Sequence, residues 1–167
     1  MKKIVPATML AVALASSSSQ AQQPITKDAL SGSWKVLSLK ATTGDKVTRP
    51  LGDRVEGYVT ITSTRIWLLF VDGTRKTPAA PTLTDVEAAE MMKTQVAWTG
   101  KYSLDEQTAD GVKLTAHVDA ASSQAIFNTD RVYFVRIDDN KIIFTGKVVV
   151  PMTGATSTVV FEMTKSD

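Results

Sequence analysis

The chain has 167 residues, 19 Lys and Arg against 17 Asp and Glu, one histidine and no cysteine. That length suits a single domain. The absence of cysteine excludes disulfides, thiol catalysis and thiolate metal sites, and the near-even charge, with no basic run, excludes the dense cationic face that nucleic acid requires.

Lys2 and Lys3 precede an apolar run at residues 4–15 and small residues at 16–21, the pattern of a secretory signal peptide cut after Ala21. The apolar run is shorter than the about 20 residues that span a bilayer as a helix. The expected organisation is therefore a signal peptide over 1–21, a mobile polar lead over 22–29 and one domain over 30–167. The protein is expected to be exported, periplasmic or secreted, with no membrane span once the signal is removed. Loss of Lys2 and Lys3 leaves 17 charges of each sign, so attachment to a membrane through a polybasic segment is not expected.

Residues 34–40 read as a first strand, with Trp34 and Val36 on one face and Leu37 and Leu39 on the other. A polar loop with Gly44, Pro50 and Gly52 follows over 41–54. Residues 56–62 and 65–71 are rich in β-branched and aromatic side chains and form a predicted hairpin about Ser63-Thr64. The prolines of 74–82 exclude a central strand there.

The periodicity then turns helical over about 84–96. Thr84 is a good N-cap and Glu87 completes a capping box. Val86, Ala89, Lys93 and Val96 mark a narrow face, which places this helix across one opening of the fold. From there the chain returns to strands at 97–104, 112–119, 130–137, 141–149 and 157–165. The count is eight strands with one helix between the third and fourth, spaced for sequential antiparallel pairing. Such a mainly β chain predicts an up-and-down β-barrel whose interior is either packed with side chains or holds one small ligand.

The segments Leu30-Ser-Gly-Ser-Trp34, Leu51-Gly-Asp-Arg-Val-Glu-Gly-Tyr58, Ala97-Trp-Thr-Gly-Lys-Tyr102 and His117-Val-Asp119 resemble those of the bacterial lipocalin-like domain family, over about residues 30–165. The resemblance implies a lipocalin-like barrel and, as activity, little beyond small-molecule binding. The chain departs from the family pattern at Ser123-Gln124 and Asn128, and at Tyr133, where the family tends to place an arginine.

Little in the chain supports catalysis. One histidine cannot build a His-rich metal site or a two-histidine facial triad, and no G-x-S-x-G elbow is present. His117 alternates with Val112, Leu114, Ala116 and Val118, so it points to solvent if that apolar set faces inward. Asp138-Asp139-Asn140 fits a hairpin turn better than a calcium loop. No cofactor and no metal is expected.

Aromatic residues, by contrast, are spread over nearly every strand. Trp98 and Tyr102 share parity, as do Arg131, Tyr133 and Val135. The expected ligand-binding residues are Trp34, Trp98, Tyr102, Arg131 and Tyr133, with no catalytic residue assigned. Aromatic walls with one cation suit a small apolar or amphipathic molecule such as a fatty acid. The alternative is a barrel enzyme, an isomerase, cyclase or hydrolase, that uses a cavity carboxylate with a Tyr or His117.

Overall fold

The structure is a computed structural model that describes residues 24–78, 80–149 and 154–166. The predicted signal peptide lies outside the described residues. Within them, nine strands run β1 (Gly32–Thr43), β2 (Lys46–Thr48), β3 (Val55–Ile61), β4 (Arg65–Asp72), β5 (Gln95–Thr108), β6 (Gly111–Ala121), β7 (Asp130–Asp138), β8 (Lys141–Val149) and β9 (Thr156–Ser166). Two short helices, α1 (Lys27–Leu30) and α2 (Asp85–Lys93), precede β1 and β5.

All strand pairs are antiparallel. The order β1-β3-β4-β5-β6-β7-β8-β9 closes on itself because β9 also pairs with β1. The expected eight-stranded up-and-down barrel is thus present. The ninth strand, β2, folds back on the end of β1 through Ala41 and Thr48. It lies in the stretch read as a loop, where three exposed polar-flanked residues give no apolar pattern.

Alternation sorts the two faces. On β6, Val112, Leu114, Ala116 and Val118 are buried, while His117 between them is exposed and bonds Asp130 at 2.9 Å. On β8, Ile142 and Phe144 are fully buried. Burial of each large apolar side chain contributes about 1.5–3 kcal/mol, and this inward set is what fixes the register of the ring. The outward positions are mixed, with Tyr58, Trp67 and Leu69 of β3 and β4 among the exposed side chains. No helix among the described residues is long and apolar enough to cross a membrane.

The expected grouping of Leu39 with Leu37 is not what β1 shows. Pairing of β1 with β9 jumps from Val36 opposite Met163 to Ser38 opposite Glu162. The bulge leaves Leu37 unpaired and 46% exposed. Beyond it the parity inverts, so Leu39 shares the inward face of Trp34 and Val36 instead of the face of Leu37. An extra residue in one strand has this effect because side chains alternate with period two.

The base of the barrel is sealed by α1. Leu30 is completely buried and its carbonyl accepts a hydrogen bond from Trp34 Nε1 at 2.8 Å. Lys27 Nζ donates to the Ser63 carbonyl at 3.0 Å and sits 4.9 Å from the Tyr102 ring centroid. In the segment read as a mobile lead, Ile25 is buried and its N–H donates to Gln107 Oε1 at 2.9 Å.

At the opposite end, α2 carries the predicted capping box. Thr84 Oγ1 accepts from the Glu87 N–H at 3.3 Å, and the Thr84 N–H donates to Glu87 Oε2 at 2.9 Å. The helix stops at Lys93, short of the expected 96, because Gln95 and Val96 pair with Val71 and Phe70 in the barrel wall. No residue of α2 is buried, and Val86, expected on its inner face, is 79% exposed. Its C-terminal end is tied down by Arg75, whose Nη2 donates to the Met91 carbonyl at 2.7 Å and whose Nε donates to Thr94 Oγ1 at 2.9 Å.

Candidate binding cavity

The barrel interior is packed at its base and open at the α2 end. A cavity of about 480 Å³ occupies that end, within the range of about 300–1,000 Å³ usual for small-molecule sites. Its floor is aromatic. Tyr133 lies 5.3 Å from Phe161 in an edge-on contact and stacks parallel to Trp98 at 6.4 Å, and Phe70 meets Phe161 edge-on at 5.7 Å. Aromatic pairs of this kind add about 0.5–1.5 kcal/mol each beyond area burial.

The walls are aliphatic, with Leu39 and Ala41 of β1, Leu68 of β4, Val148 of β8 and Val159 of β9. The bulge in β1 is what turns Leu39 and Ala41 toward this space. Ile126 enters from the loop between β6 and β7, and Pro50, Met92 and Lys93 stand at the exposed rim.

Of the five residues expected from sequence to bind a ligand, Trp98, Arg131 and Tyr133 line the cavity. Trp34 and Tyr102 do not. Both are buried at the sealed base, Trp34 against α1 and Tyr102 with its hydroxyl donating to the Thr62 carbonyl at 2.8 Å. Parity alone placed Trp98 and Tyr102 together. Four residues of strand separate them by about 13 Å along the wall, and they end in different compartments.

Burial pushes the Tyr133 hydroxyl up to about 12 and the nearby Arg131 guanidinium pulls it partly back, so Tyr133 is neutral at physiological pH. Tyr102 is also raised, first by burial and then by Asp28. Arg131 points inward from β7 two residues from Tyr133. Its Nε is a buried donor with no hydrogen-bond partner among the described residues.

Among the described residues the cavity lining contains no carboxylate and no histidine. His117, Asp119 and Asp130 are on the outer face, where His117 pairs with Asp130 and Arg65 with Asp119. His117 and these carboxylates are therefore not among the residues that line the cavity. Among the described residues no group of three or more His, Cys, Asp or Glu is placed to hold a metal ion. Asp139 adopts a left-handed φ of 52° in a two-residue turn between Asp138 and Lys141, as the hairpin reading expects.

A second depression, of about 530 Å³, lies outside on β7, β8 and β9, bounded by Val132, Phe134, Arg136, Thr145 and Lys147. None of these side chains is buried, so it is a surface fold between strands and not an enclosed site.

Sequence reasoning missed most of the aliphatic wall and also Lys93. The signal for Leu68 and Phe70 was available in the alternation of β4. The signal for Leu39 and Ala41 was not, because the bulge has no sequence mark.

A closed antiparallel barrel with an apolar interior open at one end defines a calyx, the architecture of barrel proteins that hold small molecules. A family model described as a lipocalin-like domain matches residues 31–164, and the chain belongs to that family. Fold and family together are those of a lipocalin-like binding protein. No curated protein and no solved structure matches the chain.

Proposed function

We propose that this protein binds a small apolar or amphipathic molecule inside the barrel, and that it does so after export to the periplasm or the medium. The observation that carries the binding reading is the cavity of about 480 Å³ with an aromatic floor and aliphatic walls. Apolar surface of that kind gains about 25 cal/mol for each Å² removed from water, and a preformed pocket needs little reorganisation to gain it. The export reading is supported by the basic, apolar and small-residue segments of 1–21.

Two measurements test the proposal. Protein purified from its native host is denatured, extracted and examined by mass spectrometry for a copurifying small molecule, and the stripped protein is melted against a panel of lipids and aromatic compounds. A ligand present at a hundred times its Kd raises stability by about 2.7 kcal/mol. An empty extract together with no shift across the panel refutes binding. For export, the mass of the mature chain from fractionated cells is expected to begin at Gln22, and an intact cytoplasmic chain refutes it.

A further inference from the structure

We infer that the cavity is built for an anionic amphipath, a molecule whose acidic head sits on Arg131 while its apolar body lies on the aromatic floor. This rests on the reading of the cavity as a ligand site and goes further, to the charge and placement of what it holds.

Charge balance comes first. The chain as a whole is almost neutral, yet the cavity lining is not. Among the described residues it carries two cations, Arg131 and Lys93, and no carboxylate. Arg49, Arg54 and Arg65 each have an acidic partner on the outer surface. Arg131 has none among the described residues, and its buried Nε–H meets no acceptor there. Tyr133, the nearest acidic hydroxyl on the same strand face, is held in its neutral form by burial and does not serve as a counter-ion.

A guanidinium stays charged at any physiological pH. Arg131 as a whole is half-buried, but a buried donor such as its Nε–H is unfavourable without an acceptor. A carboxylate supplies that acceptor, because it accepts two parallel hydrogen bonds from the planar fork. Neutral apolar molecules would leave that donor buried and unmet.

Geometry fixes the orientation. Arg131 lies two residues from Tyr133 toward the mouth, a step of about 7 Å along β7. Below it are the rings of Tyr133, Trp98 and Phe161. The head therefore sits partway up the wall and the body fills the floor. Lys93 stands exposed at the rim, where a lone cation raises the encounter rate of anions.

The test compares acids with their isosteric alcohols by calorimetry on the purified full chain. Dodecanoic acid is set against dodecanol, and naphthylacetic acid against naphthylethanol, so that alkyl and aromatic bodies are told apart. At least one acid is expected to bind tenfold or more tightly than its alcohol. Arg131→Met, which keeps the aliphatic stem, is expected to reduce that preference to under threefold while alcohol affinity changes by less than threefold. Lys93→Met is expected to slow acid association at low salt. Equal binding of acid and alcohol to the unaltered protein overturns the inference and leaves the cavity as a site for neutral ligands. Retention of the acid preference in Arg131→Met overturns it as well. Failure of both acids to bind overturns the inference, while the ligand-site reading beneath it stands or falls by the extract and the panel. The acid-to-alcohol comparison in the unaltered protein holds even if Arg131→Met does not fold.

Discussion

Ala41→Leu asks whether the space in the barrel is real. Ala41 is 2% exposed, faces inward opposite Val159 and lines the cavity. The substitution adds three carbons to the cavity wall, worth about 2.4 kcal/mol at about 0.8 kcal/mol for each if all are taken from water. The mouth is open, so half to all of that burial is realised, a gain of about 1–2.5 kcal/mol. For a domain of this size the gain raises Tm by roughly 3–8 °C. In a packed core the same carbons would be strained and cost about 1–3 kcal/mol, so the sign of the change decides. Circular dichroism melts and urea titration measure it, and calorimetry with whichever compound binds the unaltered protein is expected to show at least a tenfold loss, about 1.4 kcal/mol. A fall in Tm refutes the cavity. A rise in Tm with unchanged affinity refutes its role in binding.

Three other perturbations probe different parts of the molecule. Gly57 has a φ of 140° and an added Cβ would collide with the Leu69 carbonyl across the β3–β4 ladder, so Gly57→Ala is expected to cost about 3 kcal/mol or more, read as a lower urea midpoint. Tyr133 is raised from 10.0 to about 12 in the folded chain. Its contribution to stability is therefore complete below pH 10 and lost as pH rises from about 10 through 12, so Tyr133→Phe should reduce the alkaline loss in urea titrations and leave the part due to Tyr102, which is also raised. Thr84→Ala removes the cap of α2 at a cost of about 1 kcal/mol. Because that helix buries no residue, the effect is expected as faster amide exchange over 85–93 with an unchanged global midpoint.

Much of the ring was legible from residue pattern. The alternation of Lys141–Val149 and the capping pair Thr84 and Glu87 each carry a local signal strong enough to survive folding, and the strand and the start of the helix form where expected. The cavity was legible only in part, for a physical reason. Period two reports which face a residue occupies and says nothing of its height in the barrel. Trp98 and Tyr102 share a face, yet one lines the cavity and the other is sealed beneath α1 with Lys27 over its ring. Leu39 failed differently. Its face depends on the extra residue at Leu37, and a bulge is chosen by the partner strand 120 or so residues away, not by the local sequence. Arg131 was named for its parity with Tyr133, but the state of its Nε depends on what surrounds it in three dimensions.

The ladder between β1 and β9 has a consequence for how the molecule comes into being. It pairs Ser33 with Ser166, whereas the other joints of the ring are made by strands consecutive in the chain, save β1 and β3, which the short β2 separates. Until that ladder forms, the chain is a row of hairpins with a bare edge on β1 and another on β9. Bare edges recruit strands from other molecules, and a joint of such long sequence separation forms late. A chain cut short of β9 therefore has no closed form to reach. It would expose the backbone of β1 and β8 and pair with its own kind, which makes the final strand the guard against self-association.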